Sequence, residues 1–65
     1  MNLNTLNLAN KDIRIKCLES GIRFWQIALQ LGVSPETITR RLRVELPADE
    51  KEVIIRAMEQ IMQER

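Results

Sequence analysis

Residues 24–43, FWQIALQLGVSPETITRRLR, constrain this chain more than any other stretch. An apolar run at helical spacing, Ile27, Ala28 and Leu31, ends at Gly32, the residue type that takes positive φ without a steric penalty. A turn through Val33 and Ser34 follows. Ser34 is a favourable N-cap, and Pro35 brings the φ angle that the first helical position needs. Ile38 and Leu42, at i and i+4, give the next helix an apolar side, with Val33 supporting them from the turn. Pro35, Glu36, Thr39, Arg40 and Arg43 fall on the opposite side. One helix stops, the chain turns sharply, and a basic helix starts with its first turn exposed. Helices this short do not hold alone. Ile27, Leu31, Val33 and Ile38 must therefore be buried at their crossing, where the small Ala28 lets the second backbone approach.

The flanks read as further helices. Asn10 is the expected N-cap of a first helix over residues 11–20, its side-chain oxygen taking a first-turn amide, with Asp12 at the positive end. Gly21 ends that helix. Ile13, Cys17 and Leu18 are its expected inward stripe, with Cys17 a small buried apolar residue, and Ile15 has no place on it. In the second helix, residues 24–31, Arg23 is a poor cap that Gln26 can partly replace. Of the adjacent Phe24 and Trp25, one is expected against the last helix and the other partly exposed, with Trp25 the expected core anchor. The third helix is expected over residues 35–43. After the link at residues 44–46, Pro47 marks the start of a last helix with Asp49, Glu50 and Glu52 at its positive end. There Val53, Ile54, Ala57, Met58, Ile61 and Met62 form a stripe two residues wide. Either the whole stripe is core of one chain, or one edge pairs with a second chain. Residues 1–9 alternate Leu3, Leu6 and Leu8 with Asn2, Asn4 and Asn7. They read as a frayed end or as an arm whose leucines dock on the core or on a second subunit. The expected fold is all-α: a compact bundle of about four helices at residues 10–65 behind an N-terminal arm at 1–9.

Size and composition exclude much. A chain of 65 residues is one domain, and domains of that size bury only about 60% of their unfolded surface. There is no histidine or tyrosine, no metal-ligand spacing and no phosphate-cradling glycine loop. Neither an enzyme nor a cofactor is expected. Cys17 is the only cysteine, so no internal disulfide forms. There is no apolar run of membrane-spanning length and no signal-like start, so the expected location is the cytoplasm, away from membranes. The formal net charge is +1, but it is unevenly spread. Residues 1–43 carry seven basic and three acidic side chains, residues 44–65 three basic and six acidic. A basic front suits a polyanionic partner; it also suits an ordinary solvated surface.

In a frame starting at Phe24, alanine holds the fifth place (Ala28) and glycine the ninth (Gly32). Apolar residues hold the fourth, eighth, tenth and fifteenth: Ile27, Leu31, Val33 and Ile38. With the flanks KDIRIKCLESGIRFWQIALQLGVS and TITRRLRVELPADEKEVIIRAMEQI, residues 10–63 resemble the helix-turn-helix superfamily. Within it they are similar to the small repressors of phages and mobile elements (Cro/C1-like, lambda-repressor-like). There is one departure. The family usually has an apolar residue at the eighteenth place; here it is Arg41, and Leu42 follows, as in homeodomain-like and recombinase-like variants.

The resemblance implies a DNA-binding regulator that acts as a homodimer on a two-fold site in double-stranded DNA. By position, Ser34, Pro35, Glu36, Thr39, Arg40 and Arg43 would face the groove. Arg40 suits guanine O6 and N7, Glu36 suits cytosine N4, and Thr39 suits a thymine methyl or a phosphate. Arg23, Gln26, Ser34, Arg41 and Arg43 suit phosphates. The dimer contact would use the last-helix stripe, Val53, Ile54, Ala57, Met58, Ile61 and Met62. A competing expectation is a helix-turn-helix adaptor or recombination accessory protein that works mainly through protein contacts.

Overall fold

The computed structural model describes residues 9–64. The expected arm, apart from Ala9, lies outside the described residues. Four helices follow one another: α1 Lys11–Ser20, α2 Phe24–Leu31, α3 Pro35–Arg41 and α4 Ala48–Gln63. Among the described residues there is no strand. The fold is all-α, as the helical spacing predicts.

Local chemistry explains the boundaries. Gly32, at φ 73°, ends α2, and the next amide, Val33 N, donates back to the Ala28 carbonyl at 2.9 Å. Gly21, at φ 70°, ends α1 in the same way, with Ile22 N donating to the Cys17 carbonyl. Both are the left-handed stop that glycine permits. The Gln26 side-chain oxygen accepts from Arg23 N at 2.7 Å, supplying the cap that arginine lacks. Ser34 Oγ accepts from Thr37 N at 3.2 Å, and Pro35 opens α3.

The core contains Ile13, Cys17, Ile22, Ile27, Ala28, Ile38, Leu42, Ile54, Ala57, Met58 and Ile61. α2 is its hub, packed on both α3 and α4, while α1 packs on α4. Ala28 is fully buried where α2 crosses its neighbours. The last-helix stripe is mostly interior. Ile54, Ala57, Met58 and Ile61 are buried and Met62 packs against them, whereas Val53 is half-exposed.

Four expectations are corrected. Leu18 is 83% exposed, and Ile22 takes its place in the core. Ile13 and Cys17 set the inward side of α1, and one further residue rotates Leu18 about 100° away from Cys17. Ile22 reaches the core because the Gly21 turn folds the chain back. Trp25 is no core anchor. It lies about 200° around α2 from Ile27, while Phe24 lies within about 60° of both Ile27 and Ala28. Trp25 is accordingly exposed, and Phe24 is half-buried beneath the Arg14 guanidinium of α1, 5.6 Å from the ring centroid.

Asn10 is not a side-chain cap. It is fully buried in the left-handed conformation, φ 57°, and makes no cap bond to α1. Finally, α3 ends at Arg41 rather than Arg43. These last two corrections have one cause. A continuing helix would pair the Leu42 carbonyl with Leu46 N. Instead the Asn10 carboxamide takes both: Nδ2 donates to Leu42 O at 3.0 Å, and Oδ1 accepts from Leu46 N at 2.8 Å.

Candidate nucleic-acid interface

The outer side of α3 follows from its inner one. Ile38 and Leu42 are both fully buried, which fixes the rotation of the helix. Arg40 lies two residues from each, about 160–200° around the axis, and so projects directly away from the core. Arg41 lies nearer the inward stripe. It borders a cleft with Leu31, Leu46, Glu50, Val53 and Ile54, on the side of α4. The departure at the eighteenth place of the frame is thus absorbed: Leu42 is the inward residue, and the two arginines face different directions.

Pro35, Glu36, Thr39, Arg40, Arg41 and Arg43 are all exposed. Arg43 stands in the turn after α3, its N–H donating to the Arg40 carbonyl at 3.2 Å. Thr39 Oγ1 donates to the Pro35 carbonyl at 3.1 Å, which spends its proton within the helix and leaves the methyl group for an apolar contact. Ser34 Oγ is engaged with both Thr37 N and Thr37 Oγ1, at 3.2 and 2.8 Å. Arg23 is exposed at the start of α2, and Gln26 beside it spends its oxygen on the Arg23 amide, keeping its NH₂ as a donor.

The fold uses some of the molecule's cations and leaves others to solvent. Arg14 donates to the carbonyls of Ala9 and Leu42, at 3.0 and 3.1 Å. Lys51 bridges Asp12 and Glu45, and Arg56 pairs with Glu52 on α4. The guanidinium groups of Arg40, Arg41 and Arg43, in contrast, have no ion-pair or hydrogen-bond partner among the described residues. Lys11, Lys16 and Arg23 have none either, but Arg40, Arg41 and Arg43 bring three unused charges together at α3 and its exit.

Sequence reasoning missed the device that holds α3. Besides its bonds to Leu42 and Leu46, Asn10 donates to the Val44 carbonyl at 2.8 Å, and its backbone N–H donates to Glu45 Oε1 at 2.7 Å. Glu45 in turn meets Lys51, which also holds Asp12 at 3.2 Å. The Lys51 hydrogen bond, then the Asn10 amide, holds the Glu45 carboxyl below its ordinary range. Burial by itself raises Asp12, but the Lys51 and Ile13 hydrogen bonds outweigh it and bring that carboxyl down. Lys51 is raised, first by Glu45. Asn10 and Asp12 lie more than thirty residues from their partners Leu42, Val44, Glu45, Leu46 and Lys51, so no local pattern reveals these contacts. The one usable signal is the residue type, since asparagine tolerates the left-handed conformation.

Among the described residues no helix is long and apolar enough to cross a membrane. Compared with known proteins, the chain matches no protein family, no curated protein and no solved structure.

Proposed function

We propose that this chain binds double-stranded DNA through α3 as a small regulator of repressor type, of the kind that phages and mobile elements carry. The observation that carries the reading is the outward side of α3, a solvent-facing helix presented by a tight turn and bearing arginines without partners among the described residues. Arg40, opposite the core, is the base reader, matching guanine O6 and N7. Glu36 meets cytosine N4, and the Thr39 methyl meets a thymine methyl. Pro35 packs at the groove edge. Arg23, Gln26, Ser34, Arg41 and Arg43 hold phosphates and set the register. Arg41, lying toward α4, is the edge contact rather than the reader.

The protein acts as a homodimer in the cytoplasm, without a cofactor. On α4 the pairing surface is narrow, because the chain's own core takes most of the stripe; Val53 and the uncovered edge of Met62 remain. A second reading, an adaptor or recombination accessory protein, draws support from the exposed apolar side chains Leu18, Trp25 and Leu29.

Titration with duplex DNA at several salt concentrations tests the reading. The logarithm of the association constant is expected to fall linearly with the logarithm of salt, by roughly 0.9 for each phosphate neutralised. Arg43→Gln is expected to weaken binding equally on all sequences and to reduce the slope by about one phosphate. No binding at low salt would reject the proposal in favour of the adaptor.

A further inference from the structure

The last turn of α1 and the first turn of α2 flank an apolar groove of about 670 Å³, with Cys17, Leu18, Ile22, Phe24 and Trp25 among its walls. Leu18 is 83% and Trp25 54% exposed. Leu29, 75% exposed, continues the patch, because it lies four residues from Trp25 on the same side of α2. Three large apolar side chains thus stand in water around one depression. Such a patch marks a surface that a partner covers.

We propose that a second copy of this chain covers the patch, the two grooves facing each other across a two-fold axis. The inference rests on the homodimer reading and deepens it, moving the contact from α4 to this face; it does not depend on DNA binding. The first argument is area. Leu18, Trp25 and Leu29 together offer on the order of 400 Å² per copy, about half of the ~800 Å² that each partner of a standard interface contributes, and the groove walls adjoin them. On α4 the large exposed apolar side chain among the described residues is Val53, at 52%, which offers roughly a fifth as much.

The second argument is self-complementarity. In a two-fold contact each residue pair occurs twice, so one patch must supply both the knob and the hole. Here they lie side by side. Trp25 lines the groove and stands half in water, and the groove has the size of cavities that enclose a small molecule, about 300–1,000 Å³, so it has room for the partner's indole. Tryptophan is enriched among the side chains that anchor protein interfaces. The third argument is charge. Arg23 lines the groove and Glu19 follows Leu18, and neither has an ion-pair partner among the described residues. Across the axis Glu19 of each copy meets Arg23 of the other, two pairs of opposite sign. Arg14, which also lines the groove, already donates to the Ala9 and Leu42 carbonyls.

Sedimentation velocity over a range of protein concentrations tests the proposal on the full-length wild type, Leu18→Lys, Leu29→Lys and Val53→Lys. All three positions are exposed, so the fold persists, and far-ultraviolet circular dichroism confirms equal helicity. The expected wild-type mass saturates at two copies. Leu18→Lys and Leu29→Lys are each expected to raise the dissociation constant about thirtyfold or more, the scale of a lost hot spot. Val53→Lys, on the α4 edge, is expected to shift it far less. Trp25 is the chain's only tryptophan, and its emission is expected to move to the blue as wild-type concentration rises, but not in the two groove variants. Pairing lost in Val53→Lys and kept in both groove variants would overturn the proposal and leave the homodimer reading standing. A wild type that stays monomeric would overturn both. A mass that grows past two copies would overturn the two-fold arrangement.

Discussion

The carboxamide of Asn10 stands between Leu42 and Leu46, which would bond to each other if α3 continued. Each orphaned buried partner costs about 1–3 kcal/mol, so Asn10→Ala is expected to lose about 3 kcal/mol or more of stability. Part of that loss is backbone strain, because alanine pays roughly 1 kcal/mol more in the left-handed conformation. Asn10→Gly removes the same hydrogen bonds but not the permitted φ, and is expected to lose about 1 kcal/mol less than alanine. Urea denaturation of the three proteins separates the two contributions. If glycine and alanine are equally destabilising, the left-handed backbone is not where the strain lies.

The ion cluster beside Asn10 makes a prediction about pH. Glu45 and Asp12 are held below their ordinary values of 4.5 and 3.8. Groups depressed on folding stabilise the native state fully above the ordinary value, and lose that contribution as pH falls through the lowered folded value. Lys51 is raised above 10.5, so its contribution is complete below that pH and is lost as pH rises through its higher folded value. Stability should therefore be flat near neutrality with respect to these groups and decline once pH drops below 4.5. Glu45→Gln, which keeps an acceptor for the Asn10 amide, is expected to decline less steeply on the acid side. An unchanged acid slope would show that Glu45 is equally acidic in the folded and unfolded chain.

At the scale of elements, the pair α2 and α3 depends on Gly32. A Cβ added there meets nothing within 4 Å, so the cost of Gly32→Ala is conformational alone. It is expected to be about 1–2 kcal/mol, measured by chemical denaturation, with Gly32→Asn costing less. A larger loss for alanine would mean that the turn tolerates no relaxation of its packing. This pair was legible in the sequence because every determinant is local: Gly32, the Ser34 and Pro35 start, and the i, i+4 pairing of Ile38 with Leu42. The bounds of α2 and the end of α1 at Gly21 were legible for the same reason. What escaped was set by distant contacts. The end of α3 depends on Asn10, thirty-two residues from Leu42. Leu18 and Trp25 fell on the wrong side because each has an apolar neighbour, Cys17 or Phe24, that satisfies a coarse helical period better.

At the scale of the molecule, the uneven charge acquires a physical location. Of the basic residues near the front, the fold consumes Arg14, leaves Lys11, Lys16 and Arg23 unpaired among the described residues along α1 and before α2, and leaves Arg40, Arg41 and Arg43 together to solvent at α3 and its exit. Composition alone cannot make that division, because it counts Arg14 and Arg40 alike. The wide α4 stripe resolves in the opposite sense. Its period was legible, but the choice between core and partner depended on how closely α1 and α2 approach α4, and they bury most of it.

The central claim is that the outward side of α3 reads double-stranded DNA, with Arg40 as the base-reading residue. Selection from a random duplex library at physiological salt, run in parallel with wild type and Arg40→Ala, tests it most directly. The account predicts that wild type enriches a two-fold motif and that Arg40→Ala loses preference at one position of each half-site, a penalty of about 1–3 kcal/mol against the wrong base. Retention of no duplex by wild type, or the same motif enriched by both proteins, would contradict it.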